Sequence, residues 1–285
     1  MKPLGLGSDR KKITIGSGDR AATYRSSEIM VNLSQPRQTK LPTMYDLPSE
    51  EVGESGLPDQ YHPLQAELLR LTFQPSTYPS QQVFSAMDLN IYYDETNTRR
   101  FKRPDWFGVV GVSQLYEERD LRLSYVIWQE QVNPFIVVEL LSPSTQKEDL
   151  GETTTQPDGA PTKWQVYEEI LQVPYYVVYD RQKSTFQAYR HQGQRYQELG
   201  ITNNRLWLPE LELGLGLWQG TYENAERRWL RFYDNSDTWI STPTERAEQQ
   251  QLRAERERLR AEQERLRAER FRRLLLENGI NPDED

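Results

Sequence analysis

The sequence predicts an α/β domain carried between a basic N-terminal extension and a charged helical tail. Three observations predict it. The runs Phe135-Ile-Val-Val-Glu-Leu-Leu141 and Tyr175-Tyr-Val-Val-Tyr-Asp180 are apolar almost throughout, as strands covered on both faces are. Between them, Lys163 to Leu171 places Trp164, Tyr167, Ile170 and Leu171 on one helical face. The order strand, helix, strand implies a right-handed crossover with the two strands parallel in one sheet. Beyond residue 243, Leu252, Leu259 and Leu266 recur at heptad spacing among Arg and Glu.

Taken in order, residues 1–43 carry eight basic side chains against three acidic. Residues 1–29 are rich in Gly, Ser, Lys and Arg with no sustained periodicity, which reads as disorder; a phosphate-binding basic arm is the alternative. Met30 would also serve as a start of translation. The folded domain is expected over 44–242. His62 to Phe73 reads as an amphipathic helix through Leu64, Leu68, Leu69 and Leu71, with Pro63 in its first turn. Short β-prone runs follow at Val83–Tyr93, Trp106–Val112, Leu121–Trp128 and Thr185–Tyr189. After Trp207 the pattern changes: Leu211–Trp218 alternates with period two, and Trp229–Tyr233 with Thr238-Trp-Ile240 reads as a hairpin. Both are expected to extend the sheet in antiparallel fashion.

The tail, 243–285, has leucine at one heptad position, but the companions three or four residues away are Arg, Glu and Gln, half of a coiled-coil seam. Glu255 with Arg258, Glu262 with Arg265 and Glu269 with Arg272 would support the helix along its own surface, each by roughly 0.2–0.5 kcal/mol. The expectation is a solvated single helix or weak dimerisation stalk, with a partner-docking helix as the alternative.

Composition removes whole classes of chemistry. There is no Cys, which excludes disulfides, thiolate metal sites and cysteine nucleophiles, and two His residues leave little for a multi-histidine zinc site. No apolar run reaches membrane-helix length and the N-terminus lacks a signal-peptide core, so the expected location is the cytoplasm. The net charge is −8, with +5 over 1–43, −1 over 243–285 and the remaining −12 in the middle. An acidic middle argues against a broad basic surface for nucleic acid, so a DNA-facing function would need a local patch and metal ions.

The informative residues lie in that middle. Pro104-Asp105 opens one strand, Glu139 interrupts an apolar strand, and Lys163 begins the next helix. A buried, unpaired Glu costs several kcal/mol, so a Glu139–Lys163 salt bridge is the plain structural reading. The second carboxylate, Asp105, points further. A hard divalent ion is held by one or two carboxylates with waters and substrate phosphate, and a nearby Lys stabilises charge on that phosphate.

Pro104-Asp105, Val137-Val-Glu-Leu-Leu-Ser-Pro-Ser-Thr145, Asp149, Lys163-Trp-x-x-Tyr167 and Val173-Pro-Tyr-Tyr-Val-Val-Tyr-Asp180 resemble the Uma-two family of restriction endonucleases, in the PD-(D/E)XK nuclease superfamily. The resemblance runs in order from about Met44 to Thr242. It implies a restriction-endonuclease-like αβββαβ core and Mg2+- (or Mn2+-) dependent hydrolysis of DNA, with Asp105 and Glu139 as metal ligands. The superfamily's usual Lys, two residues after the Glu, is Leu141 here; the resemblance moves the role to Lys163, with Lys147 as rival.

Other residues are weighed beside these. His62 reads as an ordinary helix-start residue with a site role as the alternative. Asp149 and Asp180 read as a cap and a strand-end group, with a ligand role as the alternative, and Tyr167, Tyr176, Trp106 and Trp164 as core aromatics, with stacking on a base as the alternative for the two Trp residues. Arg99, Arg100, Lys102 and Arg103, just upstream of Asp105, are the candidates for phosphate contacts, with a plain solvated loop as the equal alternative. The expected partners are DNA and a second copy of the chain, through the tail or the core. A catalytically silent nucleic-acid or protein-binding module on the same fold is the alternative; a carboxylate-pair glycosidase fits less well, because it has no use for the lysine.

Because residues 1–29 lack a buried pattern, a chain starting at Met30 should melt at an unchanged temperature. A drop of more than a few degrees in a thermal scan would show that the extension packs on the domain.

Overall fold

Helix α1, Tyr61–Thr72, starts where Asp59 Oδ1 accepts the backbone N–H groups of Tyr61 (2.8 Å) and His62 (3.2 Å). Its inward face follows the 3.6-residue period through Tyr61, Gln65, Leu68, Leu69 and Thr72. A computed structural model describes residues 58–154 and 159–279, all within one unit, Met44–Asp285. The expected N-terminal extension, 1–43 with Met30, lies outside the described residues.

The run expected as one strand over Val83–Tyr93 divides at Asp88, which takes a φ of 51°. The halves, β1 (Val83–Met87) and β2 (Ile91–Tyr92), enter different sheets. After the short β3 (Phe101–Lys102), β4 (Trp106–Val110) is buried at every position. The strand expected over Leu121–Trp128 is reduced to β5 (Tyr125–Val126), followed by the single turn α2 (Ile127–Glu130). The reason is Arg122, whose side chain is 3% exposed, pairs with Glu130 at 2.8 Å and lies 4.4 Å over the Phe84 ring. With Arg122 inward, Leu121 and Leu123 are 79% and 94% exposed, the reverse of what alternating hydrophobicity implies.

β6 (Ile136–Leu140) leads through α3 (Gln146–Asp149) and α4 (Lys163–Gln165) to β7 (Tyr175–Asp180). α4 is capped by Thr162 and Gln165 reciprocally, then widens into a π turn over Val166–Ile170, closed by the Leu171 N–H on the Val166 carbonyl at 2.8 Å. The wider turn corrects the expected helical face. Ile170 is turned out, 44% exposed, and Glu168 is turned in, where Tyr196 N–H and Arg195 satisfy it. β8 (Thr185–Gln192) and β9 (Arg195–Glu198) complete a six-stranded sheet of order β1-β4-β6-β7-β8-β9. β6 and β7 run parallel, as the sequence implies, and the other neighbours are antiparallel. On β6, Ile136, Val138 and Leu140 join the core beneath α1, while Val137 joins the core containing Tyr167 and Tyr176. Glu139 follows Val137 by two and shares that second face.

β10 (Arg205–Leu208), β11 (Leu213–Tyr222) and β12 (Ala225–Tyr233) do not give the expected extension of this sheet; they form a separate three-stranded one. The hairpin is β11 with β12, and the segment expected as its second arm contributes only the bridge Tyr233–Trp239. α1 lies between the sheets. At the outer edge of β12 the Gln65 amide stands in for a missing strand: its Nε2 donates to the Leu230 carbonyl (2.7 Å) and its Oε1 accepts the Leu230 N–H (2.9 Å). Last, α5 (Pro243–Glu277) runs 35 residues from a capping box of Thr242 and Glu245. Leu252, Leu259 and Leu266 are each about half exposed, and Arg265 reaches forward to Glu269 at 3.6 Å.

Gln65→Ala leaves two buried backbone groups of β12 unpaired. Chemical denaturation should show a loss of about 2–4 kcal/mol, and a loss below about 0.5 kcal/mol would mean that water replaces the amide at no cost.

Candidate active site

By the register of β4 and β6, in which Trp106 faces Val138, the next positions outward are Asp105 and Glu139. There the backbone ladder gives way to side chains. The Leu140 N–H donates to Asp105 Oδ2 at 2.6 Å, and the Asp105 N–H donates to Glu139 Oε2 at 3.3 Å. Each carboxylate therefore takes a backbone donor from the other strand. Glu139 is fully buried and Asp105 half-buried, so solvent reaches the cluster from the Asp105 side.

Lys163, the first residue of α4, places Nζ 3.0 Å from Glu139 Oε2 and 2.8 Å from Asp149 Oδ1. Glu148 fixes that approach by accepting the Lys163 backbone N–H at 2.8 Å. The Tyr167 hydroxyl donates to Glu139 Oε1 at 3.0 Å, and the Tyr176 hydroxyl donates to the Asp149 carbonyl at 2.8 Å. Lys147, the rival lysine, is exposed on α3.

Two assignments change. Asp149, expected as a cap, is instead a fully buried partner of Lys163. Tyr167, expected as core filling, also orients Glu139. Asp180 meets its expectation, accepting from the N–H groups of Gln182 and Lys183. Trp106 is fully buried, and Trp164 packs edge-on against Tyr176, Tyr189 and Tyr196. His62 is buried, with Nδ1 2.9 Å from Asp59 and Nε2 without a partner. Of the basic run, Arg100 pairs with Asp94, Arg103 with Asp88 and Lys102 with Glu148. Lys102 and Lys163 thus share one carboxylate, which ties β3 to the cluster.

Burial pushes the Glu139 carboxyl above its ordinary range; Lys163 works against that, and Asp149 and Asp105 add to it. Burial likewise raises Asp105, opposed by Lys163 and the Leu140 N–H. For Lys163, burial alone would lower the pKa, but Asp149, Glu139 and Asp105 outweigh it and hold the ammonium well above 10.5. Three carboxylates around one ammonium leave a net charge of −2 when all are ionised, the charge one divalent cation would cancel. Asp149 Oδ2 is buried with no hydrogen-bond partner, a further oxygen in want of a positive neighbour. Among the described residues no group of three or more His, Asp or Glu is arranged to hold a metal ion. Two carboxylates suffice for Mg2+, which keeps several waters, so the donor set fits a hard divalent ion.

The family model described as "Uma2: Putative restriction endonuclease" matches residues 37–223. A crystal structure of a putative nuclease belonging to DUF820 from Anabaena variabilis ATCC 29413 is similar over 55% of this chain and 76% of its own, at 14% identity and a TM-score of 0.38. No curated protein matches the chain.

The raised carboxyls set a sign for pH dependence. The unfolded chain releases these protons at the ordinary values of 3.8 and 4.5, the folded chain later, so stability is lost as pH rises. Glu148, which is lowered, has given its stabilisation once pH is past 4.5. With chelator present, the melting temperature should therefore fall from about pH 5.5 upward, and Glu139→Gln should flatten that fall. A flat wild-type profile would mean that Glu139 is already ionised at the acid end.

Proposed function

The chain belongs to the Uma2 family, and from that premise we propose that it is a divalent-metal-dependent endonuclease hydrolysing DNA phosphodiester bonds at Asp105, Glu139 and Lys163. One observation carries the reading: Lys163, from a helix, meets the carboxylate of Glu139, from a strand, at 3.0 Å, beside a second carboxylate at the start of the neighbouring strand. The succession α1, β1, β4, β6, α4, β7 supports assigning these elements to a restriction-endonuclease-like αβββαβ core, in a domain spanning 44–242 between an extension (1–43) and a helical tail (243–285).

Asp105 and Glu139 would hold Mg2+ or Mn2+. When bound, such an ion supplies Lewis-acid charge at a phosphate oxygen. Lys163 is an ammonium throughout the physiological range, so its role is charge stabilisation and not proton abstraction. Two of its three N–H groups are used by Glu139 and Asp149, and the third is left for a non-bridging phosphate oxygen. Tyr167 fixes the orientation of Glu139. Arg99, Arg100, Lys102 and Arg103 are the proposed phosphate contacts along the approach; a phosphate must displace Asp94, Glu148 or Asp88 to engage the last three. No described helix is long and apolar enough to cross a membrane, and a cytoplasmic setting belongs to the same proposal.

A second reading, the same fold as a silent binding module, is favoured by one observation. Glu139 and Asp149 each form an ion pair with Lys163 at 3.0 and 2.8 Å, an arrangement that a purely structural buried salt bridge would also give.

Substitutions separate the roles. Asp105→Asn or Glu139→Gln should weaken Mg2+ binding in calorimetry and abolish cleavage of supercoiled DNA. Lys163→Ala should keep metal binding while turnover falls roughly 10²- to 10³-fold, and Lys147→Ala should cut normally. Wild-type protein that neither binds Mg2+ or Mn2+ nor cleaves DNA would transfer the assignment to the binding module.

A further inference from the structure

α5 leaves the domain from a root held by side chains, and along its length none of its residues is buried by the other described residues. Arg231, 2% exposed, donates from Nε (3.1 Å) and a terminal nitrogen (2.8 Å) to the Ile240 carbonyl and pairs with Glu245 in the first helical turn. Its guanidinium lies 4.3 Å over the Trp218 ring. No residue of α5 is buried, and Leu252, Leu259 and Leu266 form a stripe 53–54% exposed along one side. A leucine every seventh residue is one half of a coiled-coil seam, and the surrounding charges decide which half and which partner.

If the leucines occupy the first core position of the heptad, the second core position falls on Glu255, Glu262 and Glu269. Two copies would then bury glutamate against glutamate and set Arg265 of each helix beside Arg270 of the other, so they would repel. If the leucines occupy the second core position, Glu248, Glu255 and Glu262 precede the seam and Arg253, Arg260 and Arg267 follow it. Each glutamate then stands five residues before an arginine, the spacing that joins two helices side by side in a parallel, in-register pair. Three such pairs form in each direction. In an antiparallel pair the same positions would set Glu against Glu and Arg against Arg. The remaining core positions, Gln249, Arg256, Gln263 and Arg270, are polar, which weakens the seam while restricting its register.

We infer that α5 is a parallel, in-register homodimerisation stalk, whose occupant is the α5 helix of a second copy of this chain. The catalytic domains then sit at the same end of the stalk. From Thr242 to Leu252 the helix climbs about 15 Å, a spacer before the leucine seam begins. The inference is independent of the chemistry proposed for the domain.

The chain has no Cys, so one introduced thiol reports unambiguously. In the full-length protein, oxidised Gln249→Cys, at a core position, should give a covalent dimer, whereas Ala254→Cys, on the outer face, should not. Sedimentation of the wild type across the micromolar range should show a shift from 33.6 kDa towards twice that mass, lost in Leu259→Glu. Glu255→Arg with Glu262→Arg should be monomeric, as should Arg260→Glu with Arg267→Glu, and an equimolar mixture of the two should dimerise. A wild type that stays monomeric overturns the inference, as does a dimer that survives Leu259→Glu or that fails to cross-link through Gln249→Cys. Every readout is the state of association, so none depends on whether DNA is cut.

Discussion

Glu139 stands on β6 among residues buried on both sides, where an unpaired carboxylate costs several kcal/mol, and each neighbouring element contributes to meeting that cost. α4 begins with Lys163, the π turn supplies the Tyr167 hydroxyl, and the start of β4 supplies a backbone N–H. α3 ends on Asp149 and Glu148, one gripping the ammonium and the other the backbone that carries it. Segments far apart in sequence are thereby fixed to one side chain. An alanine in place of Glu139 would remove the carboxylate but leave Lys163 facing Asp149 across a cavity, a different fault and not a repair.

With all its carboxylates ionised, the same cluster holds more acid than its one ammonium balances. A structural pair would stop at one carboxylate for one ammonium. Here Asp105 and Asp149 are added, and the Asp149 oxygen left unpaired is a cost to the fold with no return in packing.

Much of this was legible in the sequence because it rests on contrast. An acid inside an apolar strand stands out, and so does a parallel pair of fully apolar strands, so Asp105, Glu139 and Lys163 and the β6–β7 pairing could be named from residues and resemblance. What was not legible rests on local geometry that shares its composition with blander arrangements. Asp149 sits beside three other polar residues on a short helix, where a cap and a buried ion-pair partner read alike. The π turn adds one residue to a helical period, which sends Ile170 outward and Glu168 inward without altering composition. Arg122 inverts a leucine alternation because an aromatic face and a buried glutamate await it, both distant in sequence or beyond the run. The separation of β10–β12 from the main sheet depends on α1 lying between them, a fact of packing that alternation within strands does not encode.

That interposed helix makes a mechanical series of the molecule. Gln65 of α1 grips the backbone of Leu230, and the next residue, Arg231, grips the root of α5. Both junctions are short polar bonds in buried or half-buried surroundings, stiffer than an apolar contact that can slide. The root of the far helix is therefore connected through two successive residues of β12 to α1, whose first turn Asp59 holds at His62. The long helix is thus joined to the domain through the polar bonds of its first turn, with Arg231 as the link between β12 and the helix.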